Sequence, residues 1–145
     1  MDTYAVSTSI AFCYGHRLCD YNGPCRHLHG HNARVEIVVA TDTLDSQGMA
    51  CDFRLMKSVL KGWIDAHLDH RMILQETDPL VPILRNAGEP LYLMTDPPTA
   101  EHIARLLFQH AHAAGLPVRE VRLWESDNAC AVYRAATDER RAEQS

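Results

Sequence analysis

Residues 25–31 read Cys-Arg-His-Leu-His-Gly-His and lead directly into a stretch in which Val35, Ile37 and Val39 share one parity. Side chains two apart on an extended chain point the same way, so this alternation marks a strand with one face buried. A strand over residues 29–41 carries His29 and His31 on a single face, at a separation that one ion can bridge. Its neighbours must come from the rest of the chain.

A second alternation covers residues 4–12, with Tyr4, Val6, Thr8, Ile10 and Phe12 on one parity and His16 just past the end. Asp20, Asn22, Gly23 and Pro24 then make a loop. After a turn at 45–48, Asp52 caps a predicted helix with Phe53, Met56, Leu60, Trp63, Ile64 and His67 on one face, ending near 68–70. A long segment of mixed character follows, with a short helix at 79–86. Thr99 caps a second main helix, with Ile103, Leu106, Leu107 and His110 inward, and Gly115 and Pro117 stop it. Strands at 118–125 and 129–134 form a hairpin about a Ser-Asp-Asn turn. This order predicts an α+β fold, a four-stranded antiparallel sheet with two helices on one face. One domain is expected over 1–136, followed by a charged, frayed tail at 137–145.

Apolar residues make up 46% and charged residues 23% of 145 residues, the balance of a soluble globular chain. The net charge of −5 argues against nonspecific nucleic-acid binding, which needs a basic surface. No apolar run approaches the roughly 20 residues that cross a bilayer. The N-terminus lacks a basic segment followed by an apolar core, so no membrane association and a cytoplasmic location are expected. Five irregularly spaced cysteines read as free thiols in a reducing compartment.

His-x-His on a strand supplies half a metal site, and His16 at the end of the neighbouring strand is the natural third donor. Three neutral imidazoles around zinc leave one position open, the arrangement of a catalytic site. Two alternatives stay open on the residues alone. His27 shares the parity of His29 and His31 but stands in loop, and Cys19 follows His16 at ligand spacing and would make a closed, structural site. His67 and His110 read as packing residues on helical faces, His102 and His112 as solvated.

The blocks "HRLCDYNGPCRHLHGHNARVEIVV", "GMACDF", "LDHRMIL", "PPTAEHIARLLF" and "LWES" resemble, in this order and over most of the chain, the family of 6-pyruvoyl-tetrahydropterin synthase and the QueD-type 6-carboxy-tetrahydropterin synthase. The resemblance implies zinc ligands at His16, His29 and His31, a catalytic thiol at Cys25, a catalytic pair at Asp69 and His70, and a pterin-anchoring carboxylate at Glu125. Thr99 and Glu101 match the family's Pro-Thr-x-Glu helix start, where the threonine helps hold the pterin. It further implies the tunnelling fold, with sheets joining between subunits into a barrel. A homohexamer with active sites at subunit interfaces follows, as do Zn2+ as cofactor and a small-molecule pterin as partner.

Departures stand at Phe-Cys-Tyr-Gly-His, where the family has Phe-Ser-Ala-Ala-His, at Met72-Ile73-Leu74, and in a longer segment from 75 to 96. Three residues separate Cys25 from His29, the QueD-like interval. The implied reaction converts 7,8-dihydroneopterin triphosphate to 6-carboxytetrahydropterin, acetaldehyde and triphosphate, on the route to queuosine. The pyruvoyl-forming elimination of triphosphate from the same substrate is the near alternative. A zinc hydrolase, or a non-catalytic pterin-binding or structural zinc protein, belongs to another class, against which Cys25, Asp69 and His70 together weigh. Arg17, Arg26, His27 and Arg34 form a basic group that reads as solvated or as contacting the triphosphate.

Overall fold

The computed structural model describes residues 3–136, so the expected tail at 137–145 lies outside the described residues. The two long alternating stretches become strands β1 (Tyr4–His16) and β2 (His29–Thr41). They pair antiparallel from Tyr4 opposite Thr41 to His16 opposite His29. His16 is thus inside the strand, not beyond it. Strands β5 (Val118–Ser126) and β6 (Ala129–Arg134) extend the sheet on the β2 side, both antiparallel.

The sheet has six strands in the order β4-β3-β1-β2-β5-β6, not four, and it is mixed, not wholly antiparallel. Strand β3 (Arg71–Gln75) pairs parallel with the end of β1, and β4 (Leu91–Met94) pairs parallel with β3. Both come from the segment of mixed character. Each is short, and Met-Ile-Leu and Leu-Tyr-Leu-Met do not alternate, as is usual for parallel strands covered on both faces. The crossover between them contains α2 (Leu80–Asn86).

One face of the sheet is apolar and is covered by α1 (Phe53–His67) and α3 (Ala100–Ala113). Ile10, Phe12, Val35, Ile37, Val39, Val121 and Leu123 meet Met56, Leu60 and Ile64 of α1 and Ile103, Ala104, Leu107 and Phe108 of α3. Each fully buried Leu or Ile contributes about 1.5–3 kcal/mol. Asp52 caps α1 by accepting from Arg54 N, and Thr99 caps α3 by accepting from His102 N. Phe53, expected inside, is 54% exposed, because it is the first helical residue and lies beyond the sheet's cover. His67 and His110 both stack on Trp63, at 4.7 and 4.9 Å between ring centroids. No helix among the described residues is long and apolar enough to cross a membrane.

Candidate active site

The site is a continuation of the core. Along β1 the buried row Ile10, Phe12, Tyr14 ends in His16, and along β2 the row Val39, Ile37, Val35, Ala33 ends in His31 and His29. On β5, Val121 and Leu123 are followed at the same parity by Glu125. Where the apolar rows run out, three imidazoles and a carboxylate take their place on the same face.

The imidazole rings of His16, His29 and His31 stand 4.5, 5.0 and 5.1 Å apart between centroids. One ligand atom from each lies within 4.8 Å of the others. His16 Nδ1 is 2.7 Å from the Pro98 carbonyl and His29 Nδ1 is 2.8 Å from the His27 carbonyl. A carbonyl only accepts, so each neutral ring carries its proton on Nδ1 and presents a lone pair at Nε2. His16 Nε2 and His31 Nε2 are 3.0 Å apart, a spacing that requires a proton or a cation between them. Burial pushes the His16 imidazole below its ordinary pKa, outweighing the Pro98 hydrogen bond and the attraction of Glu125. Neutral, oriented, converging imidazoles fit zinc, and the two carbonyls supply the outer contacts that hold such ligands in place.

Glu125 Oε1 lies 3.7 Å from His16 Nε2 and 3.8 Å from His31 Nε2. The same oxygen accepts from the Tyr14 hydroxyl at 2.9 Å. Tyr14 is 2% exposed, and its pKa is strongly raised, by burial first and then by the neighbouring Glu125 charge. Sequence reasoning missed Tyr14 as a site residue. A tyrosine on the buried parity reads as core, and only the shared parity with His16 hinted at more.

Asp69 and His70 form a pair, His70 Nδ1 to Asp69 Oδ2 at 3.0 Å. His70 adopts φ 58, a left-handed backbone that ends the α1 segment sharply. The Asp69 carboxyl sits below its usual pKa: burial raises it, but the Cys13 N–H and His70 together lower it more. Cys13 points to the opposite face of β1 from Tyr14 and His16, and its sulfur lies with Asp69 and His70. The pair is therefore across the sheet from the three histidines of its own chain.

Cys25 sits half-buried in a short 3-10 turn, Pro24–Arg26. Its carbonyl accepts from Leu18 N at 2.8 Å, tying the loop to the end of β1. Its sulfur is not in the ligand group around the histidines, and neither Cys19 nor His27 belongs to that group. Thr99 uses its hydroxyl as the α3 cap, while Glu101 and Glu125 line a cleft of about 130 Å³. Of the basic residues, Arg26 Nε approaches His27 Nε2 at 3.4 Å, while the other two are engaged elsewhere. Arg17 is bound by both oxygens of the buried Asp78, and Arg34 lies over the Trp124 ring at 5.2 Å.

A family model described as 6-pyruvoyl tetrahydropterin synthase matches residues 5–136. A Rickettsia typhi protein named 6-carboxy-5,6,7,8-tetrahydropterin synthase is 41% identical over 97 residues, which cover 66% of this chain and 70% of the relative. An Aquifex aeolicus protein of the same name is 30% identical over 159 residues, covering 90% and 98%. Among solved structures, a Wolinella succinogenes protein has a TM-score of 0.77 at 26% identity, over 94% of this chain and 100% of that one. The 6-pyruvoyl tetrahydropterin synthase of Caenorhabditis elegans has a TM-score of 0.71 at 20% identity, over 94% and 98%, a likeness that shows the tunnelling fold. By the match over residues 5–136 and by these relatives, the chain belongs to the 6-pyruvoyl tetrahydropterin synthase family.

Proposed function

We propose that the chain is a zinc-dependent 6-carboxy-5,6,7,8-tetrahydropterin synthase, which converts 7,8-dihydroneopterin triphosphate to 6-carboxytetrahydropterin, acetaldehyde and triphosphate. The observation that carries this reading is the convergence of His16, His29 and His31 beside the Glu125 carboxylate, 3.7–3.8 Å from two of the ring nitrogens. The three-residue interval between Cys25 and His29, and the names of the curated relatives, favour the carboxy-forming product.

In this reading His16, His29 and His31 hold the ion. Bound zinc supplies Lewis acidity to the hydroxyls of the substrate side chain and makes the adjacent C–H acidic. Glu125 offers its carboxylate to the paired N–H donors of the pterin edge. A carboxylate has about four lone-pair sites, so the Tyr14 hydrogen bond leaves room for both. Thr99 fixes the start of α3, whose preceding carbonyl orients His16. Cys25 takes the proton as thiolate, and His70, oriented by Asp69, relays it; a base so placed is worth roughly 10²–10⁴ in rate.

The Asp69–His70 pair lies across the sheet from the histidines of the same chain, so it serves the site of a neighbouring subunit, in a homo-oligomer built by joining sheets. Such joining removes the open edges that β4 and β6 present. Incubation with 7,8-dihydroneopterin triphosphate tests the function. Acetaldehyde and 6-carboxytetrahydropterin are expected. Triphosphate release with 6-pyruvoyl-tetrahydropterin and no acetaldehyde would replace this reading by the pyruvoyl-forming one.

A further inference from the structure

A second group of ligand-type atoms lies outside the histidine site. Cys13 Sγ, an Asp69 carboxylate oxygen and a His70 ring nitrogen all lie within 4.8 Å of one another. Backbone pairing holds them there. Cys13 N donates to Asp69 Oδ1 at 3.0 Å, and His70 N donates to the Cys13 carbonyl at 2.7 Å. These two bonds clamp the segment after α1 onto the end of β1, so the backbone that carries the three side chains is held in place.

We propose that Cys13, Asp69 and His70 form a second metal site, with sulfur, oxygen and nitrogen ligands, for a soft or borderline divalent cation such as Zn2+ or Cd2+. The donor set differs from the first site in kind, because the thiolate favours softer cations than three imidazoles do. The Cys13 thiol donates to Asn32 Oδ1 at 3.0 Å, its neighbour in register on β2; a metal that displaces the thiol proton ends this hydrogen bond and leaves the sulfur to ligate. An entry path is present, since Cys13, Asn32 and His70 border a cavity of about 680 Å³, which His29 and His31 also line, and the His70 side chain is 78% exposed. Three ligands leave a position for water or an anion. A cation held here removes Asp69 and His70 from proton transfer, a consequence that rests on the functional reading above; the site itself does not.

Titration of the purified full-length protein with Cd2+ tests this, following the ultraviolet charge-transfer absorption that cadmium gives only with thiolate ligands. A second equivalent per chain is expected, accompanied by that absorption. Both should be lost in Cys13→Ser and in His70→Asn, asparagine being a residue that tolerates the left-handed backbone at that position. Both should persist in Cys25→Ser, and in His29→Ala the absorption should persist with one equivalent, that of the Cys13 site. Absorption that survives Cys13→Ser, or that vanishes in Cys25→Ser, overturns the proposal, as does binding by the parent protein that stops at one equivalent. The readout needs no turnover. A protein that binds Cd2+ through Cys13 and forms no acetaldehyde would sink the proposed function and leave the site standing.

Discussion

The Tyr14 hydroxyl donates to Glu125 Oε1 over 2.9 Å, and that oxygen in turn faces the ring nitrogens of His16 and His31. The carboxylate is thereby fixed from the side of the core. Tyr14→Phe keeps the buried ring and removes only the donor. A hydrogen bond to a charged group contributes roughly 1.5–3 kcal/mol. The lower end is expected here, since the Glu125 side chain is 24% exposed. Urea denaturation should show the loss, with zinc content unchanged; an unmoved midpoint would mean the bond contributes nothing.

His29→Ala and His16→Ala should both lose the equivalent of zinc held by the three histidines, measured by metal analysis after dialysis against the parent protein. They should differ in the metal-free protein. His16 is 4% exposed and satisfies the Pro98 carbonyl, so its loss costs about 1–3 kcal/mol, whereas His29 is only half-buried. Equal destabilisation of the two apo variants would contradict the buried-anchor role of His16.

Acid should loosen the protein partly through Asp78. Its side chain is 1% exposed and accepts from Arg17, including Arg17 Nε at 2.8 Å. The Arg17 hydrogen bond, opposed by burial, holds the carboxyl below its usual pKa. A carboxyl lowered on folding adds stability above its unfolded pKa of about 3.9, and this is lost as pH falls through the lower folded value. Asp78→Asn should therefore cost about 3–5 kcal/mol at neutral pH, as for a buried pair broken on one side. It should also flatten the fall in urea midpoint below about pH 4. A variant with the parent's acid slope would place that stability elsewhere.

Gly30 separates His29 and His31 on β2. A Cβ at this position would stand 3.2 Å from the Tyr14 carbonyl, and a backbone atom cannot swing aside. Gly30→Ala should push β2 from β1 at the end that carries the ligands, at a cost of about 1–3 kcal/mol. Zinc affinity, read by competition with a chelating dye, should fall with it. Unchanged affinity would show that the ligands tolerate movement of the strand.

What could be read from residues alone follows from how each element buries itself. Strands β1, β2, β5 and β6 have one covered face and announce it by alternation, and α1 and α3 carry caps at Asp52 and Thr99. His29 and His31 were legible for the same reason, as members of an alternating row, with His16 placed at the end of the neighbouring strand. Strands β3 and β4 were not, because Ile73, Leu74 and their neighbours form an unbroken apolar run that looks the same in a short helix. With β3 unseen, the sheet came out two strands short, and the separation of Asp69 and His70 from their own histidines rested on the resemblance, which implies active sites at subunit interfaces. That separation depends on the parallel pairing of Tyr14 with Arg71, a long-range fact with no local signature. Tyr14, two residues past the alternating stretch at 4–12, drew no reading of its own.

Since His29 and His31 keep the parity of Val35 and Ile37, one inserted residue between His31 and Val35 would force a choice on β2. Either the aliphatic row stays inside and both rings swing outward, or the rings stay and the aliphatics face solvent. Chelation by this strand is therefore a sensor of its alignment. A variant that retains its circular dichroism spectrum but no longer retains metal would betray a slipped frame, a defect that helix and strand content alone would never reveal.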